Sequence, residues 1–150
     1  MRIKLILGAM LTAGLILYLR LDAAGPTVTV YKDASCGCCG LWVKHLEQNG
    51  FQVKVHDVAN TQEYKQKYGV PASIKSCHTA VVDGYTIEGH VPASEIQRLL
   101  KERPKAKGLA VPGMPIGSPG MEAGSTRQAY SVLMFDADGK TTVFRQYSAR

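Results

Sequence analysis

The sequence predicts an α/β fold with the element order β-α-β-α-β-β-α, followed by a Gly/Pro/Met loop and a β-hairpin extension. Three observations predict it. Short β-branched runs alternate with helix-period apolar stripes between residues 27 and 103. Asp83-Gly84 stands between two such runs and is a two-residue hairpin signal. Three of the four cysteines fall in Ser35-Cys36-Gly37-Cys38-Cys39-Gly40, directly between the first strand pattern and the first helix pattern.

Val28–Tyr31 is short, β-branched and aromatic, the signature of a strand. A helix is predicted from about Cys39 to Asn49, with Trp42, Val43 and Leu46 as its apolar face and Gly50 as its stop. His45, beside Lys44, is assigned to the solvated face. Phe51–Val58 alternates apolar with polar and reads as the second strand, with His56 on its polar face. Asn60 with Glu63 three residues on has the character of a capping box, opening a helix over about Thr61–Tyr68 that Gly69-Val70-Pro71 stops. Ser76-Cys77-His78 leads into a third strand, and Tyr85–Glu88 is the fourth. Pro92 suits the first turn of a third helix, Ile96, Leu99 and Leu100 form its buried stripe, and Pro104 ends it. Residues 104–129 are rich in glycine and proline, which argues against regular structure there, while their apolar content argues for a loop packed down on the domain. Tyr130–Phe135 and Lys140–Tyr147 are two strands around Asp136-Ala137-Asp138-Gly139, read as a plain hairpin turn because the remainder of a calcium loop is missing.

At 150 residues the chain is long enough for one cored domain with an extension. Residues 1–24 form a signal peptide or an N-terminal membrane anchor: Arg2 and Lys4 precede an uncharged apolar run from Leu5 to Leu19. The small Ala23 and Ala24 suit cleavage and Asp22 does not, so both readings stand. Either one exports the remainder of the chain and confines membrane contact to this segment. Residues 25–103 make the main domain, and residues 104–150 an extension packed on it. The formal charge of +6 falls to +4 without residues 1–24, which carry three basic residues and one acidic residue. That excess is spread along the chain with no dense Lys/Arg run, which excludes a nucleic-acid-binding reading.

The element order over residues 27–103 resembles that of thioredoxin-like proteins, which keep their active site between the first strand and the first helix. In such a sheet the first strand ends, the third begins and the fourth finishes at one end. Cys36, Cys38, Cys39, Cys77, His78 and His90 would therefore converge there. Two chemistries compete. Cys36 and Cys39 have the spacing of a redox dithiol, with Cys36 the attacking thiol at a helix start. Against pure exchange, thioredoxin-type exchangers place a cis-proline just before the third strand. Here that place falls near Ser76-Cys77, and Cys38 and Cys77 are competing thiols. The other chemistry is a soft-metal site. Met114 and Met121 lie in turn contexts in the glycine-proline loop, off any helical stripe, and add thioether donors. Thiolate with thioether selects copper(I), whereas zinc prefers Cys/His tetrahedra, so copper is favoured over zinc. Four thiols exceed the needs of one copper(I) ion and leave room for a thiolate-bridged cluster.

Together, Cys36-Gly37-Cys38-Cys39-Gly40, Ser76-Cys77-His78-Thr79, Glu88-Gly89-His90-Val91-Pro92 and Gly108-Leu109-Ala110-Val111-Pro112-Gly113-Met114-Pro115 resemble the CopG family of exported copper-resistance proteins. The resemblance covers residues 27–147. It implies a thioredoxin-like fold with a C-terminal extension, a periplasmic role in copper tolerance, and copper bound by the cysteine cluster. Carried onto this chain, it implies Cys36, Cys38, Cys39 and Cys77 as ligands, then His90, then Met114, Met121 and His78. It also implies interconversion of copper(I) and copper(II), with other copper-handling proteins of the envelope as partners. Whether the chain is an enzyme stays open, as does the alternative of a thiol-disulfide oxidoreductase acting on protein cysteines through Cys36 and Cys39.

Overall fold

The computed structural model describes residues 25–150, so the leader or anchor expected over residues 1–24 lies outside the described residues. Strand β1 (Thr27–Lys32), helix α1 (Gly37–Gln48), β2 (Gln52–Asp57), α2 (Thr61–Lys67), β3 (Thr79–Val82), β4 (Tyr85–Glu88) and α3 (Ala93–Glu102) follow the expected order. Beyond them come β5 (Gly108–Ala110), β6 (Tyr130–Phe135) and β7 (Thr141–Tyr147). All seven strands form one sheet in the order β2-β1-β3-β4-β5-β6-β7. No helix among the described residues is long and apolar enough to cross a membrane.

The two faces of the sheet follow from register. Val30 pairs with Ala80, and Ala80 with Ile87. These three pack with Trp42, Leu46, Ile96 and Leu99 in the main apolar cluster, so α1 and α3 cover that face. Each fully buried aliphatic chain there contributes about 1.5–3 kcal/mol. The Trp42 indole donates to the Val91 carbonyl at 2.8 Å and ties α1 to the start of α3. One residue along, Tyr31, Thr79 and Glu88 point to the opposite face, where α2 brings Tyr64 and Lys65.

The expectation of an irregular segment from residue 104 needs one correction. Gly108-Leu109-Ala110 is a strand, paired parallel to β4 through Thr86↔Gly108, Ile87↔Leu109 and Glu88↔Ala110. Glycine does not break this strand because the close approach requires it: a Cβ on Gly108 would overlap the Thr86 carbonyl oxygen. Through β5 the extension continues the domain's own sheet. The Tyr147 hydroxyl donates to Glu95 Oε1 at 2.9 Å, and the Arg98 guanidinium lies over the Phe144 ring, 3.6 Å from its centre. Both contacts attach the hairpin to α3. Its turn is plain: Asp136 Oδ1 accepts from the N–H groups of Asp138 and Lys140, each at 2.9 Å.

Candidate metal centre

Helix α1 starts two residues earlier than its pattern predicts, because Cys36 is already its N-cap, in extended conformation. Cys38 and Cys39 therefore occupy the first turn, where backbone N–H groups lack helical partners and favour negative charge. Cys36 and Cys39 are joined in a disulfide with their Cα atoms 5.4 Å apart. Cys38 and Cys77 are free thiols. Cys38 Sγ lies 3.6 Å from Cys36 Sγ.

Cys77 arrives from the segment that enters β3, and the four sulfurs lie within 4.8 Å of one another. A second group, Cys77 with His78 and His90, meets the same distance limit and shares the Cys77 sulfur. His90 Nε2 is 3.0 Å and His78 Nδ1 3.3 Å from Cys77 Sγ. The sequence-predicted convergence at one sheet end is thus present for all six of these side chains.

Burial sets the electrostatics. It pushes the Cys77 thiol up to about 11, with nearby Cys38 adding in the same direction. It pulls His78 well below the usual imidazole value, and the neighbouring His90 and Lys65 pull the same way. Burial also lowers His90, against the Pro119 carbonyl and Glu122. Both imidazoles are held neutral, the form that ligates metals. His78 is sealed against the Trp42 ring at 4.3 Å between centres, and its Nε2 has no hydrogen-bond partner.

The loop crosses this site twice. Gly113 N–H donates to the Lys75 carbonyl at 3.2 Å and the Ser76 hydroxyl donates to the Gly113 carbonyl, which seats the backbone before Met114 beside the Cys77 segment. Met114 itself is half exposed. Further on, the Pro119 carbonyl meets His90 Nδ1 at 2.8 Å, and Gly120 lies against the backbone of Cys38 and Trp42, one residue before the half-buried Met121.

Sequence reasoning missed the groups that hold the site segments together. Glu88 accepts from Ser76 N–H at 2.6 Å, from the Thr79 hydroxyl at 2.7 Å and from the Lys65 ammonium at 2.7 Å. Ser76 and Thr79 bracket Cys77-His78, and Glu88 stands two residues before His90. The Thr79–Glu88 pairing follows from the two-residue hairpin turn, so a signal existed. Nothing local marks Lys65 as buried. His45 also departs from its assignment to the wet face: it is half-buried, and its Nε2 accepts the Ala93 N–H at 3.0 Å, capping α3 from α1. His56 is exposed as expected, and stacks on Tyr31 with 5.2 Å between ring centres.

The clustered sulfurs and imidazoles stand apart from the cavity beside the hairpin turn. That cavity, of about 410 Å³, is lined by Lys105, Ala106, Lys107, Asp136, Ala137 and Asp138 and shares no residue with them. Four clustered sulfurs and two neutral imidazoles suit a soft metal ion, a dithiol-disulfide couple, or both.

Comparison with known proteins points the same way. Residues 74–121 match a family described as a protein of unknown function, DUF411. That stretch contains Cys77, His78, His90, Met114 and Met121 and excludes the cysteine run of α1. No curated protein matches the chain. Two solved structures do, both described as copper resistance protein CopG. Form 1 is 49% identical, with a TM-score of 0.79 over 83% of this chain and 99% of that one. Form 2 is 49% identical, with a TM-score of 0.78 over 81% of this chain and 98% of that one. Identity at that level across nearly the whole of a solved relative places this chain in the CopG family of copper resistance proteins.

Proposed function

We propose that this chain is an exported, periplasmic copper-binding protein of copper resistance, which holds copper(I) as cargo through Cys36, Cys38, Cys39, Cys77 and His90. Met114, Met121 and His78 are the further donors. The carrying observation is that four sulfurs lie within 4.8 Å of one another and one of them also meets His90 Nε2. The donor set is soft, which favours copper(I) over zinc, and the number of thiols suits a multinuclear site. Residues 1–24 act as signal peptide or anchor, residues 25–103 carry the sheet end with the thiols, and residues 104–150 bring the loop across it. Other copper-handling proteins of the envelope exchange the ion with it.

The reading includes interconversion of copper(I) and copper(II), which would make the chain a copper oxidoreductase. Closing the Cys36–Cys39 disulfide from two thiols releases two electrons and two protons. Two copper(II) ions take up those electrons to become copper(I). The disulfide present between these residues supports the couple.

The test is a metal titration of the reduced protein with elemental analysis and copper-edge spectroscopy. Uptake of copper(I) with sulfur-dominated ligation is the expected result, and no uptake under reducing conditions sinks the reading. The same disulfide favours a second reading, a thiol-disulfide oxidoreductase acting on protein cysteines. In that case Cys36→Ser abolishes disulfide reduction while Cys77→Ser spares it. Absence of exchange by the metal-free protein eliminates it.

A further inference from the structure

His90 has two ring nitrogens in different company. Nδ1 lies 2.8 Å from the Pro119 carbonyl, and Nε2 lies 3.0 Å from Cys77 Sγ. A carbonyl oxygen only accepts, so Nδ1 carries the proton and Nε2 presents its lone pair to the sulfur. The segment supplying that carbonyl is not a free loop. Ser118, Pro119 and Gly120 are buried in a span otherwise partly exposed. The Ser118 hydroxyl donates to the Pro115 carbonyl at 2.7 Å, and Met121 N–H closes onto the Ser118 carbonyl at 2.8 Å. Both carboxylate oxygens of the exposed Glu122 accept the Gly120 N–H, at 3.0 and 2.9 Å.

Gly120 is the pivot. Its φ is +84°, and a Cβ there would stand 2.7 Å from the Cys38 carbonyl oxygen and 2.8 Å from the Trp42 nitrogen. Both are helix backbone atoms that cannot yield, so only glycine lets this segment lie on the first turn of α1.

We propose that Ser118-Pro119-Gly120 is a positioning strap: by holding the Pro119 carbonyl on His90 Nδ1 it keeps His90 in one tautomer and aims the Nε2 lone pair at Cys77. Pro119, Gly120 and Glu122 are then positioning residues for His90, acting without touching the metal. Partners of this kind typically change metal affinity 10–100-fold when lost. The effect on copper rests on the copper(I) reading above, whereas the tautomer itself does not.

The experiment has two arms. Long-range ¹H–¹⁵N spectra of the metal-free, histidine-labelled protein report the two ring nitrogens separately. The wild type is expected to show His90 with a protonated Nδ1 and an unprotonated Nε2. Gly120→Ala, which must lift the strap, is expected to mix the tautomers. Glu122→Ala, at an exposed position that does not threaten folding, is expected to move them in the same direction. In the second arm, chelator competition measures copper(I) binding. Gly120→Ala is expected to weaken it roughly 10–100-fold in the wild-type background and to add nothing in a His90→Ala background. A wild-type His90 protonated at Nε2 overturns the proposal. So does a tautomer that neither variant moves, or an equal loss from Gly120→Ala with and without His90. If the tautomer behaves as stated and the wild type takes up no copper(I), the copper reading fails while the strap's action on His90 stands.

Discussion

The ammonium of Lys65 lies 2.7 Å from a carboxylate oxygen of Glu88, with both side chains sealed from solvent. Thr79 and Ser76 complete the carboxylate's shell, so the charges are compensated by geometry and not by water. Removing one partner leaves the other buried and unpaired, which costs about 3–5 kcal/mol. Lys65→Met is therefore expected to lower the denaturant midpoint severely. Lys65→Met with Glu88→Gln, which removes both charges and keeps an acceptor for Ser76, is expected to recover part of the loss. A single variant as stable as the wild type in chemical denaturation would show that the pair does not hold the two site segments.

The Cys77 thiol is a second test. Burial pushes it up to about 11, so in the metal-free protein it is protonated at neutral pH, with the buried His78 and His90 rings against its sulfur. Alkylation requires the thiolate. Mass-spectrometric mapping is expected to find Cys77 labelled far more slowly than free cysteine at pH 8, with the rate climbing steeply as pH approaches 11. Labelling at the free-cysteine rate at pH 8 would contradict the assigned environment.

His45 makes folding pH-dependent in a defined direction. Burial lowers it from its ordinary value of 6.5, and Glu122 opposes that only in part. The folded chain prefers the neutral ring that caps Ala93, so below 6.5 the unfolded chain binds more protons. Stability from this group is full above 6.5 and is lost as pH falls from there through the lowered folded value. His78 and His90 are lowered too and contribute with the same sign. His45's share is thus the difference between wild type and His45→Gln, whose amide oxygen still accepts the Ala93 N–H. Urea unfolding at pH 7.5 and 5 is expected to show the smaller loss in His45→Gln; equal losses would remove His45 from the account.

Gly108→Ala tests β5. The added methyl has no room against the Thr86 carbonyl, and forcing it in costs about 1–3 kcal/mol, with β4 and β5 spread apart. Hydrogen exchange is expected to quicken in β4 and β5, at residues such as Leu109, while β1 and β2 keep their protection. Unchanged exchange at β5 would mean the strand tolerates a side chain there.

Residues 27–103 were legible because their order is written locally. The alternation in Phe51–Val58, the Asp83-Gly84 turn, the Asn60 cap and the apolar stripe of α3 each act within a few residues. That order, once threaded as a sheet, already brings Cys36, Cys38 and Cys39 to Cys77, His78 and His90, and the structure has them there. Other features depend on partners far along the chain, and no local pattern encodes them. Lys65 is buried only because Glu88, twenty-three residues on, compensates its charge. His45 turns inward only because Ala93, forty-eight residues away, offers an unpaired N–H. Gly108 reads as a breaker until the closeness of Thr86 makes it a necessity. The tautomer of His90 belongs to the same class: the ring was a candidate ligand from its place after β4, but which nitrogen faces Cys77 depends on a carbonyl twenty-nine residues later, delivered by a strap that packs on α1.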